Sequence, residues 1–356
     1  MRMTYRLDET YDWNYANGPA YDGPFPPVPN TPQKDFFGIP VNSRLGIAAG
    51  LLLNSRWIDT YARLGFDILT YKTVRSRHRD CYDLPNWIFI DTEGQIDPTE
   101  LSQSQVRKAD EPETLTTATS SVSFGMPSRA PREWMPDVAR AREALGDGQA
   151  LIVSVVASPE PGADVAEMID DYGALAAMAG EAGAQIVEAN LSCPNVCTAE
   201  GDVFLDAELS GKIARAMHDN AGGRPVLLKL GYFADPARLE AVLKAVDGAA
   251  SGVVMVNGIS RNIIEPDGSA AFGPGREKAG LLGRGIHTFS VDNVQKALAV
   301  VAKHKLALKV VAVGGVSTPE DATPYFDAGA AAVMMGSAPM FDPTLAIRIK
   351  QSHPEW

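Results

Sequence analysis

The residues best suited to chemistry lie within positions 188–195, "EANLSCPN", where Asn190, Cys193 and Asn195 follow a short apolar run. A free thiol has a pKa of about 8.5, so with modest tuning it can accept a proton from carbon and return it. Asparagine side chains carry both donors and acceptors, which suits an amide-containing ring. We therefore predict that Cys193 is a general acid/base. The alternative is that Cys193 is a small buried hydrophobic residue.

The cysteine count limits the other chemistries. Cys81, Cys193 and Cys197 are too few for a disulfide framework, which agrees with a reducing compartment, and too few for the four thiolates of an iron–sulfur cluster. Cys193 and Cys197 have no second pair and no nearby histidine that would complete a metal site. We predict no metal.

Charge and hydropathy exclude further classes. The net charge is −12, and no basic patch is visible, so we predict no nucleic-acid partner. The apolar runs are too short and too interrupted by charge to cross a bilayer, and the first residues lack the order of a signal peptide. We therefore expect a cytoplasmic protein with no membrane partner, in which any anionic ligand is held by a few local groups.

The elements that must position these residues follow a regular alternation. Short apolar runs are separated by segments of helical period such as 164–183 and 235–249, which is typical of βα units. Eight such runs predict a (β/α)₈ TIM barrel, and a doubly wound open sheet is the competing fold. The runs are 44–50, 66–74, 150–158, 184–192, 225–231, 251–258, 308–315 and 331–337.

Three segments lie outside this alternation. Residues 1–40 are rich in Pro, Tyr and Asp and are expected to form an N-terminal extension packed on the barrel of residues 41–356. Long insertions follow the second strand (75–134) and the sixth strand (259–285). Such loops at the carboxyl ends of strands favour a lid or a binding surface, and ordinary surface elaboration is the alternative.

The predicted strand ends carry small and polar residues that would meet at one rim of a barrel, where the chemistry of this fold lies. Glycines after the last two strands allow backbone N–H groups to approach an anion, so we predict a mononucleotide phosphate there. Ser-Thr-Pro-Glu (317–320) predicts a helix start, and Gly336 and Ser337 are expected to open the last helix. The marked strand ends are Ala49, Gly50, Lys72, Thr73, Asn190, Lys229, Asn257, Gly314, Gly315, Gly336 and Ser337.

These residues resemble one known family, the dihydroorotate dehydrogenases. "NLSCPN" (190–195) matches the catalytic-loop motif of that family, and "VLLKLGYFAD" (226–235) is similar to the fifth strand of its class 1 members. Further matches occur in the family's order along residues 40–350. They are "AAG" (48–50), "YKTV" (71–74), "VNG" (256–258), "KAGLLGRGI" (278–286), "VGGV" (313–316) and "MGSA" (335–338).

The resemblance implies a class 1-like homodimeric flavoprotein with FMN at the barrel rim. Cys193 would take the C5 proton of a dihydropyrimidine while the C6 hydride goes to flavin N5, and Lys72 would be a second catalytic residue. Substrate contacts would come from Asn190, Asn195, Asn257, Gly125 and Met126. FMN would be lined by Ala49, Gly50, Lys72, Thr73, Asn190, Lys229, Asn257, Gly283, Gly314, Gly315, Gly336 and Ser337.

The chain departs from the family at the positions that would contact the substrate. The class 1 loop "NSMGLPN" corresponds to residues 122–128, with Val122 and Ser128 in place of its two asparagines, and Gly258 follows Asn257 where Ser or Thr is usual. Replacement contacts could come from the loop 75–121, with Arg75, Arg77 and Arg79, or that loop could be an oligomer contact.

Three functions therefore stay open. We expect oxidation of dihydroorotate or a related cyclic amide. The alternatives are a reductase of uracil-like pyrimidines, whose loop carries His at the position of Asn195, and a flavin-binding barrel without turnover. The acceptor could be fumarate, or NAD⁺ through an iron–sulfur partner subunit.

Overall fold

The computed structural model describes residues 3–92, 94–100, 104–112, 114–160, 162–192 and 203–356. The strands are β1 (Lys34–Phe36), β2 (Ile39–Val41), β3 (Leu45–Ile47), β4 (Ile68–Val74), β5 (Trp87–Ile90), β6 (Gln105–Ala109), β7 (Thr119–Val122), β8 (Ala150–Val155), β9 (Ile186–Asn190), β10 (Val226–Lys229), β11 (Gly252–Met255), β12 (Ile259–Ile264), β13 (Lys278–Gly283), β14 (Lys309–Val313) and β15 (Ala332–Met335). The helices are α1 (Tyr11–Asn17), α2 (Ser55–Arg63), α3 (Pro131–Ala144), α4 (Val165–Glu181), α5 (Ala207–Asn220), α6 (Pro236–Val246), α7 (His287–His304), α8 (Pro319–Asp327), α9 (Ala338–Phe341) and α10 (Leu345–Ser352).

The main barrel closes in sequence order through β3, β4, β8, β9, β10, β11, β14 and β15, and each neighbouring pair is parallel. Every residue of β4, β8, β9 and β10 is buried, as expected for parallel strands that are covered on both faces. The predicted (β/α)₈ barrel is confirmed, each predicted run contains one of its strands, and the open sheet is excluded.

Helix starts follow the local sequence signals. The Asp164 side chain accepts from the Glu167 backbone N–H at the start of α4, and Thr318 and Asp321 form a capping box before α8. The expectation for Gly336 and Ser337 was wrong: they precede the four-residue α9, whereas the last helix, α10, begins at Leu345. No helix in the described ranges is both long enough and apolar enough to cross a membrane.

The two insertions combine into a second, five-stranded closed barrel of β5, β6, β7, β12 and β13. Gly280 pairs with Val122, and Asn262 pairs with Gln105, so strands distant in the sequence are neighbours. This small barrel has its own apolar core. The boundary predicted for the first insertion was too late, because α3 begins at Pro131 and residues 131–134 belong to it.

The N-terminal residues are packed on the main barrel along their length. The β1–β2 hairpin inserts Phe36 and Val41 among the residues that fill the barrel interior. Farther upstream, the Thr4 N–H donates to the carbonyl of Met340 in α9 at 3.1 Å. The hairpin crosses the boundary expected at residue 40, and the division into extension and barrel stays a prediction.

Candidate active site

A cavity of about 240 Å³ lies at the carboxyl ends of the main-barrel strands, with one wall supplied by the small barrel. The predicted site residues that the structure describes all line it: Ala49, Gly50, Lys72, Thr73, Gly125, Met126, Asn190, Lys229, Asn257, Gly283, Gly314, Gly315, Gly336 and Ser337. Cys193 and Asn195 lie outside the described residues. The described chain reaches the cavity at Asn190 and Ser192, immediately before Cys193 in the sequence.

The charge of the described lining is positive. It contains Lys72, Lys229 and Lys278, and no Asp or Glu is among its described members. Within the same described ranges, no group of three or more His, Cys, Asp or Glu side chains is placed to hold a metal ion. The lining therefore suits an anionic organic ligand, because lysines attract phosphate or carboxylate groups.

Lys229 is held in the floor of the cavity by its own strand and a buried neighbour. Its ammonium donates to the Ala49 carbonyl at 3.1 Å, which ties β10 to the loop after β3. Burial lowers the pKa of Lys229, and the charge of Glu188 on β9 opposes that shift. Burial likewise raises the pKa of Glu188, against the opposing charge of Lys229. The two charges thus support each other inside the barrel.

Asn190 ends β9 with its side chain fixed by a tight local turn. Its amide oxygen accepts from the Ser192 backbone N–H at 3.3 Å and from the Ser192 hydroxyl at 3.1 Å. The Tyr172 hydroxyl donates to the Asn190 carbonyl at 3.1 Å. Because the amide oxygen is used in the turn, the amide nitrogen is the part of Asn190 that can donate to a ligand.

Glycines create room at the rim. Gly314 has a φ of 140°, and a Cβ there would stand 2.3 Å from the Ser290 hydroxyl oxygen, so only glycine fits. A Cβ on Gly50, Gly280 or Gly336 would meet no protein atom within 4 Å, although all three line the cavity. The missing side chains leave open space that a ligand can fill.

The loop after β14 is fixed by an ion-paired aspartate. The Asp321 carboxylate accepts from the backbone N–H groups of Ser317 and Thr318 at 3.0 Å each, and it pairs with the Arg284 guanidinium at 2.6 Å. Arg284 directly follows β13 of the small barrel. This contact joins the segment after the glycine loop of the main barrel to the end of the small barrel.

The altered segment 122–128 contributes an apolar surface. Val122, Ser123 and Phe124 line the cavity beside Gly125 and Met126, whereas Ser128 is buried and hydrogen-bonds the backbone N–H of Arg75. Arg75, Arg77 and Arg79, which were one possible source of replacement contacts, are not among the residues that line the cavity. Arg75 and Arg79 instead donate to the carbonyls of Met126 and Gly125, and Arg77 donates to the carbonyl of Pro159.

Sequence reasoning missed the aromatic side of the cavity. Tyr5 and Tyr11 from the N-terminal segment and Trp87 from β5 all line it. The run "TYRLDETYDWNY" (4–15) was the available signal, since four buried or half-buried aromatic residues would not stay on a surface extension without packing.

Comparison with known proteins gives consistent matches. A family model described as dihydroorotate dehydrogenase matches residues 33–355. A dihydroorotate dehydrogenase of Dictyostelium discoideum is 28% identical over 357 residues, which cover 97% of this chain and 95% of that protein. The catalytic subunit of dihydroorotate dehydrogenase B (NAD(+)) of Maridesulfovibrio salexigens is 29% identical over 52% of this chain and 59% of that protein. Dihydroorotate dehydrogenase A (fumarate) of Lactiplantibacillus plantarum is 32% identical over 49% of this chain and 55% of that protein.

Proposed function

The chain belongs to the dihydroorotate dehydrogenase family, and from this premise we propose that it is an FMN-dependent oxidoreductase acting on the CH–CH bond of dihydroorotate or a related dihydropyrimidine. The observation that carries the proposal is the shared cavity, because the described residues predicted to hold flavin and substrate all line it. The positive lining supports an anionic cofactor and an anionic substrate.

The residues present fit FMN. Gly50 and Gly336 leave open space at the rim, and the glycines after β14 leave their backbone close to the cavity, as a phosphate group requires. Lys229 is a buried cation suited to negative charge on a flavin ring. When bound, FMN supplies the hydride acceptor. The other cofactor contacts that we propose are Ala49, Lys72, Thr73, Asn190, Asn257, Gly283, Gly314, Gly315 and Ser337.

The protein's own part of the chemistry is proton transfer and positioning. We assign Cys193 as the base that takes the C5 proton, because it follows the cavity-lining Ser192 directly in the sequence. Lys72 faces the same cavity and stabilises negative charge that develops on the substrate. Asn190, Asn195 and Asn257 hold the amide edges of the ring, with the backbone of Gly125 and Met126 beside them.

One observation favours a second substrate class. Val122 replaces a polar side chain at the cavity, and the neighbouring lining contains Phe124 and two tyrosines. An apolar wall favours a neutral ring, since a carboxylate without a partner loses hydrogen-bonding energy there. A uracil-like pyrimidine is therefore the second candidate.

The test is anaerobic mixing of the purified yellow protein with dihydroorotate in the absence of an acceptor. We expect the visible flavin band to bleach, and we expect Cys193→Ala to slow bleaching by about 10²–10⁴-fold, the range for loss of a general base. Bleaching by dihydrouracil alone would favour the second candidate. A Cys193→Ala protein with the wild-type rate would overturn the base assignment. Reoxidation of the bleached protein by fumarate would assign fumarate as the acceptor, whereas the NAD⁺ route is tested with the iron–sulfur partner subunit added.

We further propose that the chain acts in the cytoplasm as a homodimer. The dimeric state is carried over from the family resemblance, and the location is the one expected from the sequence. Light scattering of the purified protein at micromolar concentration checks the assembly, and a mass of one chain would contradict it.

A further inference from the structure

The N-terminal segment places two tyrosines against the altered segment 122–128, named here the substrate loop. Tyr5 and Tyr11 are each 5% exposed, and both line the cavity. The Phe124 ring meets Tyr5 edge-on at 6.0 Å between centroids and meets Tyr11 in a similar arrangement at 6.5 Å. These three rings, named here the aromatic wall, form one continuous surface, because edge-to-face pairs at such distances are in favourable contact.

The aromatic wall surrounds the charge of Lys72. The Lys72 ammonium lies 5.6 Å from the ring centre of Tyr11 and 5.3 Å from that of Phe124. Both distances fall within the range of cation–π attraction. The wall therefore keeps a cation on the substrate side of the cavity while presenting apolar faces around it.

The segment that carries the tyrosines is firmly attached to the barrel. The Thr4 hydroxyl and the Tyr61 hydroxyl are 2.6 Å apart and buried. The Asn54 side chain, which caps α2, donates to the Tyr15 carbonyl at 2.7 Å. Arg129 pairs with Asp12 at 2.7 Å, next to the loop 122–128. The tyrosines are thus held by α2 and by the substrate loop itself.

We propose that the N-terminal segment is a component of the substrate site, in which the aromatic wall of Tyr5, Tyr11 and Phe124 contacts the ring of the ligand through ring faces and edges and determines its size and planarity. This inference rests on the proposed function for the identity of the ring. A planar pyrimidine stacks on an aromatic face better than its puckered dihydro form, so the site binds the oxidised product more tightly than the substrate.

The test compares Tyr11→Ala with Tyr15→Ala in the flavin-loaded protein. Tyr15 lies on the same helix, with its ring 6.2 Å from that of Tyr11, but it does not line the cavity. We expect the Kd for orotate, followed by the flavin spectrum, to rise about tenfold in Tyr11→Ala and to stay near the wild-type value in Tyr15→Ala. Tyr11→Phe should restore binding relative to Tyr11→Ala, because it keeps the ring. Equal Kd values for Tyr11→Ala and wild type would overturn the inference.

A second measurement separates this inference from the proposed function. If wild-type flavin neither bleaches with dihydroorotate nor responds to orotate, the proposed function fails, and the wall is then tested by labelling Lys72 with an amine-reactive reagent. Removing the Tyr11 ring should speed labelling of Lys72 several-fold, whatever the true substrate is. An unchanged rate in Tyr11→Ala overturns the inference. If that variant does not fold, Tyr11→Leu keeps the apolar volume and is read in the same way.

Discussion

At the scale of single residues, the barrel interior beside the cavity combines groups that a stable core would avoid. Lys229 is 2% exposed and Glu188 is fully buried, in the interior of the main barrel. A raised carboxyl pKa stabilises a folded protein below the ordinary Glu value of about 4.3, and this contribution is lost as pH rises through the folded value. A lowered ammonium pKa stabilises it above about 10.4, and that contribution is lost as pH falls through the folded value. Because both pKa shifts favour the neutral forms, the buried pair costs stability at any pH where both groups are ionised.

This pair gives the first prediction. Removing only one charge in Lys229→Met should lower the free energy of unfolding at pH 7 by about 3–5 kcal/mol, because the Glu188 carboxylate is left buried without its counter-charge. The double change Glu188→Leu with Lys229→Met should recover this loss and can exceed wild type by about 1–4 kcal/mol. Urea denaturation of the flavin-free proteins measures both.

The matched control is Lys278→Met, which removes an exposed lysine of the same cavity and should change stability by less than about 0.5 kcal/mol. Equal losses in the single and double variants would show that the two charges do not interact. We expect the double variant to be stable but unable to reduce its flavin, because it lacks the Lys229 ammonium that we assign to the cofactor.

At the scale of elements, the sequence pattern predicts the main barrel but not the small one. The strands of the main barrel are mostly apolar and separated by clear helical segments, so hydrophobic periodicity and turn residues predict them. The strands of the small barrel come from two separate insertions, and its pairing of β7 with β13, for example Val122 with Gly280, joins residues far apart in the sequence. No local sequence pattern predicts pairing between strands that lie so far apart in the chain.

The candidate site divides in the same way. Residues at strand ends, such as Lys72, Asn190 and Gly314, could be predicted because the barrel fixes where strand ends meet. Tyr5, Tyr11 and Trp87 reach the cavity only through tertiary packing of the N-terminal segment and the small barrel, so strand position could not reveal them.

The substrate loop gives the second prediction. Arg79 donates to the Gly125 carbonyl at 2.8 Å, which holds the loop 122–128 toward the cavity. Removing that hydrogen bond in Arg79→Met should raise the KM for the ring substrate about threefold to tenfold, since a bond to a charged donor of a partly exposed group is worth about 1 kcal/mol. Flavin content should not change. Steady-state kinetics and the flavin-to-protein absorbance ratio measure the two effects.

Arg77→Met is the control for this change. Arg77 lies two residues away and bonds the carbonyl of Pro159, not the substrate loop. It should leave KM at the wild-type value. A rise in KM that is as large in Arg77→Met as in Arg79→Met would show that both substitutions disturb the insertion as a whole. The assignment of Arg79 as a positioning residue would then be wrong.

At the scale of the whole molecule, the surface and the cavity have opposite charge. The chain carries a net charge of −12, whereas the described cavity lining contains three lysines and none of its described members is acidic. The repulsion of an anion by the acidic surface and its attraction by the cavity lysines act over different distances. At low ionic strength the Debye length is about 30 Å, so the whole surface repels an anion, and at 0.15 M it is about 8 Å, so only nearby charges act.

The third prediction follows from this difference in range. Raising the ionic strength from about 0.01 M to about 0.15 M should increase the association rate constant of orotate, because the remote acidic groups are screened while Lys72 acts at contact distance. Neutral uracil should show no such change, which separates steering from effects of salt on the fold. Stopped-flow recording of the flavin spectrum gives both rates. An association rate constant of orotate that falls with salt would contradict this prediction and would mean that the cavity lysines attract the anion even at long range. In that case Lys278→Gln, at the exposed edge of the cavity, should weaken the salt dependence.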